Sequence, residues 1–594
     1  MTITGDNVFV SGLVITSAAD DGLYVSGENF TLTHSYIGVG SDGTSPLPNQ
    51  GFGVQIIQAA NATIGGGRAA AEICSDQCNL ISGAINDKAN VFLDVGSSNA
   101  SVVGNFIGTD VTGTTAIAGN NGQGVADKGT NNSIGGILGI GSPGGPCQGD
   151  CNLISGNNLT SVFTTYGSGV LIAADAVGTK VRGNFIGTDV TGTQAIGNGP
   201  SGRGVLSSSP TAVIGGTMGR NVISGNALYN VDIEGLAGQG VLQANYIGTN
   251  SAGTEAFASN GTGVFIGDAN GATIGGSNPG EGNLVSGAGT NLPGISIYRS
   301  TNITVQGNLI GTEADGVSPL PNGGGGVILH NESSNNIIGG FAASAGNTIA
   351  YNENGAGVYV NGLSPPVRSN TIRYNSIHDN AGKGIALTGS GNDALAPPAI
   401  TGTNPLTGTA CGECTVDIYS DDANEGLFHD GSVFTDITGN WTFPGSLTGP
   451  NVTATNTDNS NNTSEFSQPF TVATPTPTPS PSPSPAPTST QSSTPTPTNT
   501  PQAGLIQGDV DCSGIVDLQD FVRLIEFAAG VSDGVNSGDC PDIGGAIPAG
   551  ATPDRWGDVN CDGTVDALDA LAVLAWPDFE LPHPGCEDIG HELT

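Results

Sequence analysis

The chain has 594 residues, among them 97 glycines and 34 prolines, and sets only 13 lysines and arginines against 52 aspartates and glutamates. A formal net charge of −39 excludes nucleic acid and anionic membrane surfaces as partners, because binding by counterion release needs clustered cations and no basic stripe is present. The length exceeds what one compact core serves, and so much glycine with 11% charged residues builds tight turns rather than amphipathic helices, which favours an elongated repeat array.

Residues 1 to 390 carry the array. A Tyr/Phe-Ile-Gly-Thr-like marker recurs at Ile37, Ile107, Ile186, Ile247 and Ile310, in steps of 70, 79, 61 and 63 residues. Two further markers keep their order within each unit: Ile-Gly-Gly at Ile64, Ile134, Ile214, Ile274 and Ile338, and Asn-Leu-Ile-Ser-Gly-like segments at Asn79, Asn152, Asn221, Asn283 and Asn347. Each unit thus holds three short apolar segments, closed by Gly or Asn residues that tolerate left-handed backbone at sharp corners. Three coils per unit is the simple reading, with each short strand pairing to its equivalents above and below at about 4.8 Å. The last segment, Asn370 to Leu387, keeps an N-x-I-x-x-N-x-x-x-G-I-x-L rhythm. This pattern resembles the right-handed parallel β-helix proteins, a group that includes pectate lyases and many bacterial surface proteins. The resemblance implies a mainly β fold and specifies fold far better than function.

Residues 391–472 lose that rhythm and alternate as short strands, for which a small immunoglobulin-like β-sandwich with Trp441 in its core is expected. Residues 473–503 are Thr/Pro/Ser-rich, a linker that favours extended polyproline conformations and holds two modules apart. Ten cysteines at close or repeated spacings point to disulfides and an oxidising, extracellular compartment. Met1 to Gly5 carries no export signal and Asn7 onward already reads as mid-repeat, so an upstream portion bearing the signal is expected; no run of about 20 apolar residues occurs.

The sharpest chemical motif lies in residues 504–594. A twelve-residue calcium loop supplies oxygen ligands from positions 1, 3, 5, 7 (a backbone carbonyl), 9 and 12, with Gly at 6 for the turn. Asp509, Asp511, Ser513, Ile515, Asp517 and Asp520 fit these positions around Gly514, and Asp558, Asn560, Asp562, Thr564, Asp566 and Asp569 repeat them around Gly563. An apolar helical pattern follows each loop, at Phe521 to Ile525 and Leu571 to Leu574. Loop then helix, twice, closed by Asp rather than Glu, resembles a type I dockerin, a small α-helical EF-hand-type module. The resemblance implies Ca2+-dependent folding and docking onto a cohesin-like partner, as in polysaccharide-degrading assemblies. The 49-residue offset of the halves, and Leu518-Gln519 and Ala567-Leu568 where dockerins often carry Ser-Thr, leave the partner open. Cys512, Cys540, Cys561 and Cys586 permit three pairings; the duplication favours pairing within each half over a zinc site.

Elsewhere the candidates are sparse. Cys74 with Cys78 and Cys147 with Cys151 read as local disulfides three coils apart, and Cys411 with Cys414 as a structural bridge. Arg368, Arg373, His378, Asp379 and Lys383 form the densest ionisable cluster, with solvated turns as the blander reading; Asp20-Asp21, Asp110 and Asp189 read as turn residues. No catalytic constellation rises above the repeats. The expectation is therefore a secreted surface protein whose β-helix binds glycans and whose calcium-loaded tail attaches it. The alternative is an extracellular polysaccharide lyase or glycoside hydrolase recruited through that tail.

Overall fold

In a computed structural model the structure describes residues 1–471, apart from 69–72, 86–87, 139–142, 158–166, 201, 236–239, 259, 364–366, 404, 422 and 424. The calcium loops, the linker and the tail cysteines lie outside the described residues.

Residues 2 to 389 wind into a right-handed parallel β-helix with three sheets, each ordered as in the chain. A long sheet of thirteen strands runs from Thr2–Ile3 to Ile385–Gly389; a second of twelve runs from Phe9–Ser11 to Thr371–Arg373, and a third of twelve from Val14–Ile15 to Ser376–His378. Each coil gives one strand to each sheet, and every pairing is parallel and in register (Val264 with Ile295, Ile295 with Val327, Val327 with Val358). β-branched residues therefore stack on themselves inside: Val54, Val91, Val125, Val170 and Val205 form one fully buried column. Asp127 and Ser207 interrupt a neighbouring column. Asp127, itself buried, accepts bonds from Gly129 N, Asn132 Nδ2 and Thr179 Oγ1, so the inward carboxylate is satisfied.

The register corrects the expected coil count. Ile37, Ile107, Ile186, Ile247 and Ile310 occupy alternate strands of the third sheet, and Ile81, Ile154, Ile223, Val285 and Ile349 of the Asn-Leu-Ile-Ser-Gly segments fill the strands between them. A repeat unit is thus two coils, not three, because two of its three markers belong to the same sheet. Among the described residues the coils of the Ile-Gly-Thr type project a hairpin, closed by antiparallel bridges such as Thr109 to Ala116, Thr188 to Ala195 and Thr249 to Ala256. Val111 N to Gly43 O, Val190 N to Gly113 O and Ser251 N to Gly192 O, all 3.0 Å, stack the hairpins across the intervening coils. At Gly187, with φ of 92°, an added Cβ would meet Ser224 O at 2.2 Å, so the residue after the marker isoleucine must be glycine.

Asparagine has a different part from the expected one. Asn79, Asn105, Asn152, Asn184, Asn221, Asn245, Asn283, Asn308, Asn347 and Asn375 stand one per coil at a buried corner, without left-handed backbone. Each Nδ2 donates to the next Oδ1 at 2.8 to 3.1 Å, from Asn79 to Asn105 and onward to Asn347 with Asn375. The left-handed corners belong to adjacent glycines such as Gly183 and to a separate set of exposed asparagines, including Asn29 and Asn61.

Both disulfides of the solenoid form locally, Cys74–Cys78 and Cys147–Cys151, and they precede third-sheet strands two coils apart rather than three. After the last coil, a three-stranded and a four-stranded antiparallel sheet close on one core of Leu406, Val416, Ile418, Trp441, Phe443, Val452 and Ala454. Cys411–Cys414 bridges the turn before the second sheet.

Asn221 accepts from both Asn184 N and Nδ2 and donates to Val181 O and Asn245 Oδ1. Asn221→Ala leaves those groups buried without partners, and a loss of about 1–3 kcal/mol is expected in denaturant unfolding of the solenoid. The surface substitution Gln194→Ala, at an exposed hairpin position without left-handed backbone, should leave the midpoint within about 0.5 kcal/mol.

Candidate functional site

The three outer faces are not alike. Over the third sheet, Tyr36, Leu80, Phe106, Leu153 and Phe185 make an outward apolar column, and residues of the hairpins and the two disulfide loops pack against it. Arg68 fastens this cover, donating to Cys147 O and Cys151 O with its guanidinium 4.6 Å from the Phe106 ring centre. The second sheet presents mostly small polar residues, Thr31, Thr63, Ser101 and Ser133 among them. The long sheet is the face that shows rings.

Neighbouring strands lie about 4.8 Å apart, so rings on adjacent coils come within stacking distance even when offset along the strands. Tyr229 stacks on Phe265 at 4.5 Å, Phe265 faces Tyr298 at 6.1 Å, and Tyr298 meets His330 edge-on at 5.1 Å. Nearer the N-terminal end, Phe52 and Phe92 stack at 4.4 Å. The scarce cations gather here: Lys88 lies over Phe52, Lys128 over Phe92, Arg203 over Tyr229 and Arg299 over Tyr298. Arg299 also pairs with Asp268 at 2.5 Å, and Ser296 Oγ and His330 Nε2 lie 3.0 Å apart. Tyr229, Phe265 and Tyr298 are half-buried, so they keep ring surface in solvent.

Toward the C-terminal end this face deepens into a groove of about 610 Å³, floored by Ile328, Tyr359 and Ala386 and walled by turns that include Asn291, Gly324 and Gly382. Tyr359 Oη lies 2.9 Å from Thr388 Oγ1, which fixes its ring across the strands. Beyond Gly382 a second cleft of about 420 Å³ opens where the last coil meets the cap, lined by His378, Asp379, Asp421 and Glu425 among others.

Two buried carboxyls stand out electrostatically. Burial, opposed by Arg203 and reinforced by Glu234, raises Asp232 to about 7, and its side chain has no exposure. Burial also raises Glu425 to about 7, against hydrogen bonds from Asn380, with Asp379 and Asp421 adding like charge. Asp417 goes the other way: burial opposes its ionisation, yet hydrogen bonds from Arg373 and His429 outweigh it and lower the pKa. Arg373 reaches across from the last coil as a bidentate pair at 2.6 and 2.7 Å, tying cap to solenoid.

The structure therefore divides the ionisable cluster of the last coils. Arg373 is held under the cap by Asp417, Lys383 pairs with Glu465 at 2.5 Å, His378 pairs with Asp379 at 2.8 Å, and Arg368 is exposed. Asp110 and Asp189 cap their hairpins through Thr112 and Thr114, and Thr191 and Thr193, as expected of turn residues. Asp21 accepts from Phe52 N. Among the described residues no group of three His, Cys, Asp or Glu is placed to hold a metal ion. The twelve expected calcium ligands, Asp509 to Asp569, lie outside the described residues. The ring row escaped sequence reading because its members are 36 and 33 residues apart (Tyr229, Phe265, Tyr298) and offset along their strands, Tyr229 pairing with Thr262 and Phe265 with Ser296, so only the folded long sheet brings the rings together.

Residues 255–396 match the family described as right handed beta helix region. No curated protein matches the chain. Several solved structures align with it, among them the following three. The enzymatically active domain of bacteriophage CBA120 tailspike protein 2 is 12% identical over 78% of this chain and 72% of that one, with a TM-score of 0.25. Full-length tailspike protein 2 from the Escherichia coli O157:H7 bacteriophage CAB120 is 12% identical over 78% and 65%, with a TM-score of 0.24. ORF18 of Geobacillus virus E2 is 11% identical over 79% and 65%, with a TM-score of 0.25. At this identity and TM-score they carry no argument about function.

A carboxyl whose folded pKa is raised destabilises the fold where it must ionise. The Glu425 contribution is therefore most favourable below about 4.5 and is lost as pH rises toward about 7. Glu425→Gln removes that loss: thermal melts should place the variant above wild type at pH 8, with the gap closing by pH 4.5. A gap independent of pH would contradict the assignment.

Proposed function

We propose that the chain is a secreted, carbohydrate-binding surface protein whose long-sheet face takes a linear glycan and whose calcium-loaded tail attaches it to a cohesin-like partner. The carrying observation is the half-buried row Tyr229, Phe265 and Tyr298 leading to the groove floored by Tyr359. Sugar rings present apolar faces and polar edges, and aromatic rings flanked by hydroxyls and charged groups match both. Twelve strand spacings give the sheet a length of roughly 58 Å, room for a chain of many sugar units rather than one.

Binding is favoured over catalysis by one feature. Asp232, with Glu234 beside it, is the carboxyl on this face whose pKa suits general acid work, but its side chain is fully buried beneath Arg203. A catalytic acid must reach its substrate. A lyase or hydrolase therefore stays the second reading.

The tail proposal rests on its two complete loop patterns, Asp509 to Asp520 and Asp558 to Asp569. The ligand oxygens supply a site that forms only when the chain folds around the ion, so metal binding and folding of residues 504–594 are one event.

Two measurements test these readings. In a screen of plant and microbial polysaccharides, a glycan should bind without release of new chain ends, and Tyr298→Ala and Tyr359→Ala should each weaken it about tenfold, the equivalent of about 1.4 kcal/mol. Bond cleavage would instead support the enzyme. Calorimetry on the intact chain should count two calcium ions, absent from the Asp509→Ala, Asp558→Ala double variant; chelation should remove the helical circular dichroism and leave the β signal. No calcium uptake would overturn the attachment proposal.

A further inference from the structure

The cleft between the last coil and the cap gathers three carboxyl groups, Asp379, Asp421 and Glu425, beside apolar lining. It is lined by His378, Asp379, Asn380, Asp421, Glu425 and Leu427, and its volume of about 420 Å³ falls within the roughly 300–1,000 Å³ of small-ligand pockets. Asp421 is engaged in shaping the loop, accepting from Ala423 N and Glu425 N at 2.8 Å each. Glu425 is 7% exposed; one of its oxygens accepts from Asn380 N at 3.2 Å, while Oε1 is buried with no hydrogen-bond partner among the described residues. A buried carboxyl oxygen without a donor is costly to ionise, which is why burial keeps Glu425 protonated up to about 7, and a cationic donor brought by a ligand would favour its ionised form. Asp379, half engaged by His378, holds a side chain 59% exposed at the same cleft.

The nearby cations are already matched elsewhere. Lys383 pairs with Glu465 and Arg373 with Asp417, so among the described residues neither ammonium nor guanidinium lines this cleft. A calcium ion needs six to eight oxygen ligands, and no group of three metal-binding side chains converges among the described residues. An ammonium group needs only two or three acceptors for its three N–H donors. The cleft and the groove on the long-sheet face share Gly382, so a chain lying in the groove passes the cleft mouth. The net charge of −39 attracts a cationic polymer from a distance.

We infer that this cleft receives a protonated primary amine, and that the glycan of the neighbouring groove therefore carries free amino groups, as a polymer of glucosamine does. The inference rests on the carbohydrate-binding reading above. The ammonium donates to Glu425 and Asp379, and the sugar ring that bears it lies against Leu427 and Gly382. No bond is made or broken.

The test is calorimetry of the full chain with a β-linked glucosamine hexasaccharide and its fully N-acetylated counterpart, at low salt and at a pH where the amines are protonated. The free-amine form should bind at least tenfold tighter. Glu425→Gln and Asp379→Asn should each cut that preference at least fivefold without changing affinity for the N-acetylated form. Should Glu425→Gln loosen the cap, the exposed Asp379 decides the matter. Equal affinities, or a preference that both variants keep, would overturn the inference and leave glycan binding standing. Binding of neither hexasaccharide overturns it as well, and the wider reading falls with it only if every polysaccharide in the screen also fails.

Discussion

A buried primary amide is tolerable only when both its hydrogens and its oxygen find partners, and this molecule meets that demand by placing the next amide one coil away. In the ladder from Asn79 to Asn375 each Oδ1 after the first accepts from the preceding asparagine's side chain and, along most of the row, from its backbone as well, Asn79 Oδ1 accepts from Ser35 N, and each Nδ2 also reaches a carbonyl such as Leu32 O or Val181 O. Parallel strands two or three residues long have little register of their own. The amide row supplies it, since a slip of one residue would strand donors and acceptors at every corner along the solenoid.

Fixed register is what turns scattered residues into surfaces. Tyr229, Phe265 and Tyr298 become a row because successive strands of the long sheet bring their rings within stacking reach although the residues are offset along the strands, and Arg203 and Arg299 come to rest over Tyr229 and Tyr298. The third sheet hides its apolar column beneath hairpins and disulfide loops, which leaves the long sheet as the face with open rings. At the far end the cap shields the last coil, whose backbone would otherwise expose an unpaired strand edge; Ile377 and Gly426 exchange hydrogen bonds at 2.9 and 2.7 Å, and Arg373 with Asp417 locks the contact from within.

Many strands of the second and third sheets were legible in the sequence because an isoleucine or valine shortly before a glycine announces them, as at Ile64 and Ile107; the long-sheet strands, where the glycine precedes the valine as at Val54 and Val125, were marked only in the final rhythm. The coil count was not, since Ile81 and Ile107 look like different elements in the chain yet stack directly in one sheet. Asparagine misled for a physical reason: the same residue serves as a left-handed corner at Asn29 and as a buried ladder member at Asn105, and only burial separates the two. The local disulfides were readable from spacing, as was the modest standing of Asp110 and Asp189. Arg373 gave no sign of its partner, because Asp417 lies 44 residues away in a different kind of sheet. Glu425 is a lone glutamate in an acidic stretch, and nothing short of the folded junction marks it as the buried one.

The hairpin crest sets the increment by which such a molecule can change size. Its bonds join alternate coils, so removing a single coil would bring two hairpins, or two plain turns, onto neighbouring levels and break the alternation. Lengthening or shortening is accommodated only in pairs of coils, whereas the spread from 61 to 79 residues between marker isoleucines shows that the turns absorb insertions freely. A protein built this way can vary its reach in doubled steps while the decoration of its rim varies without restriction.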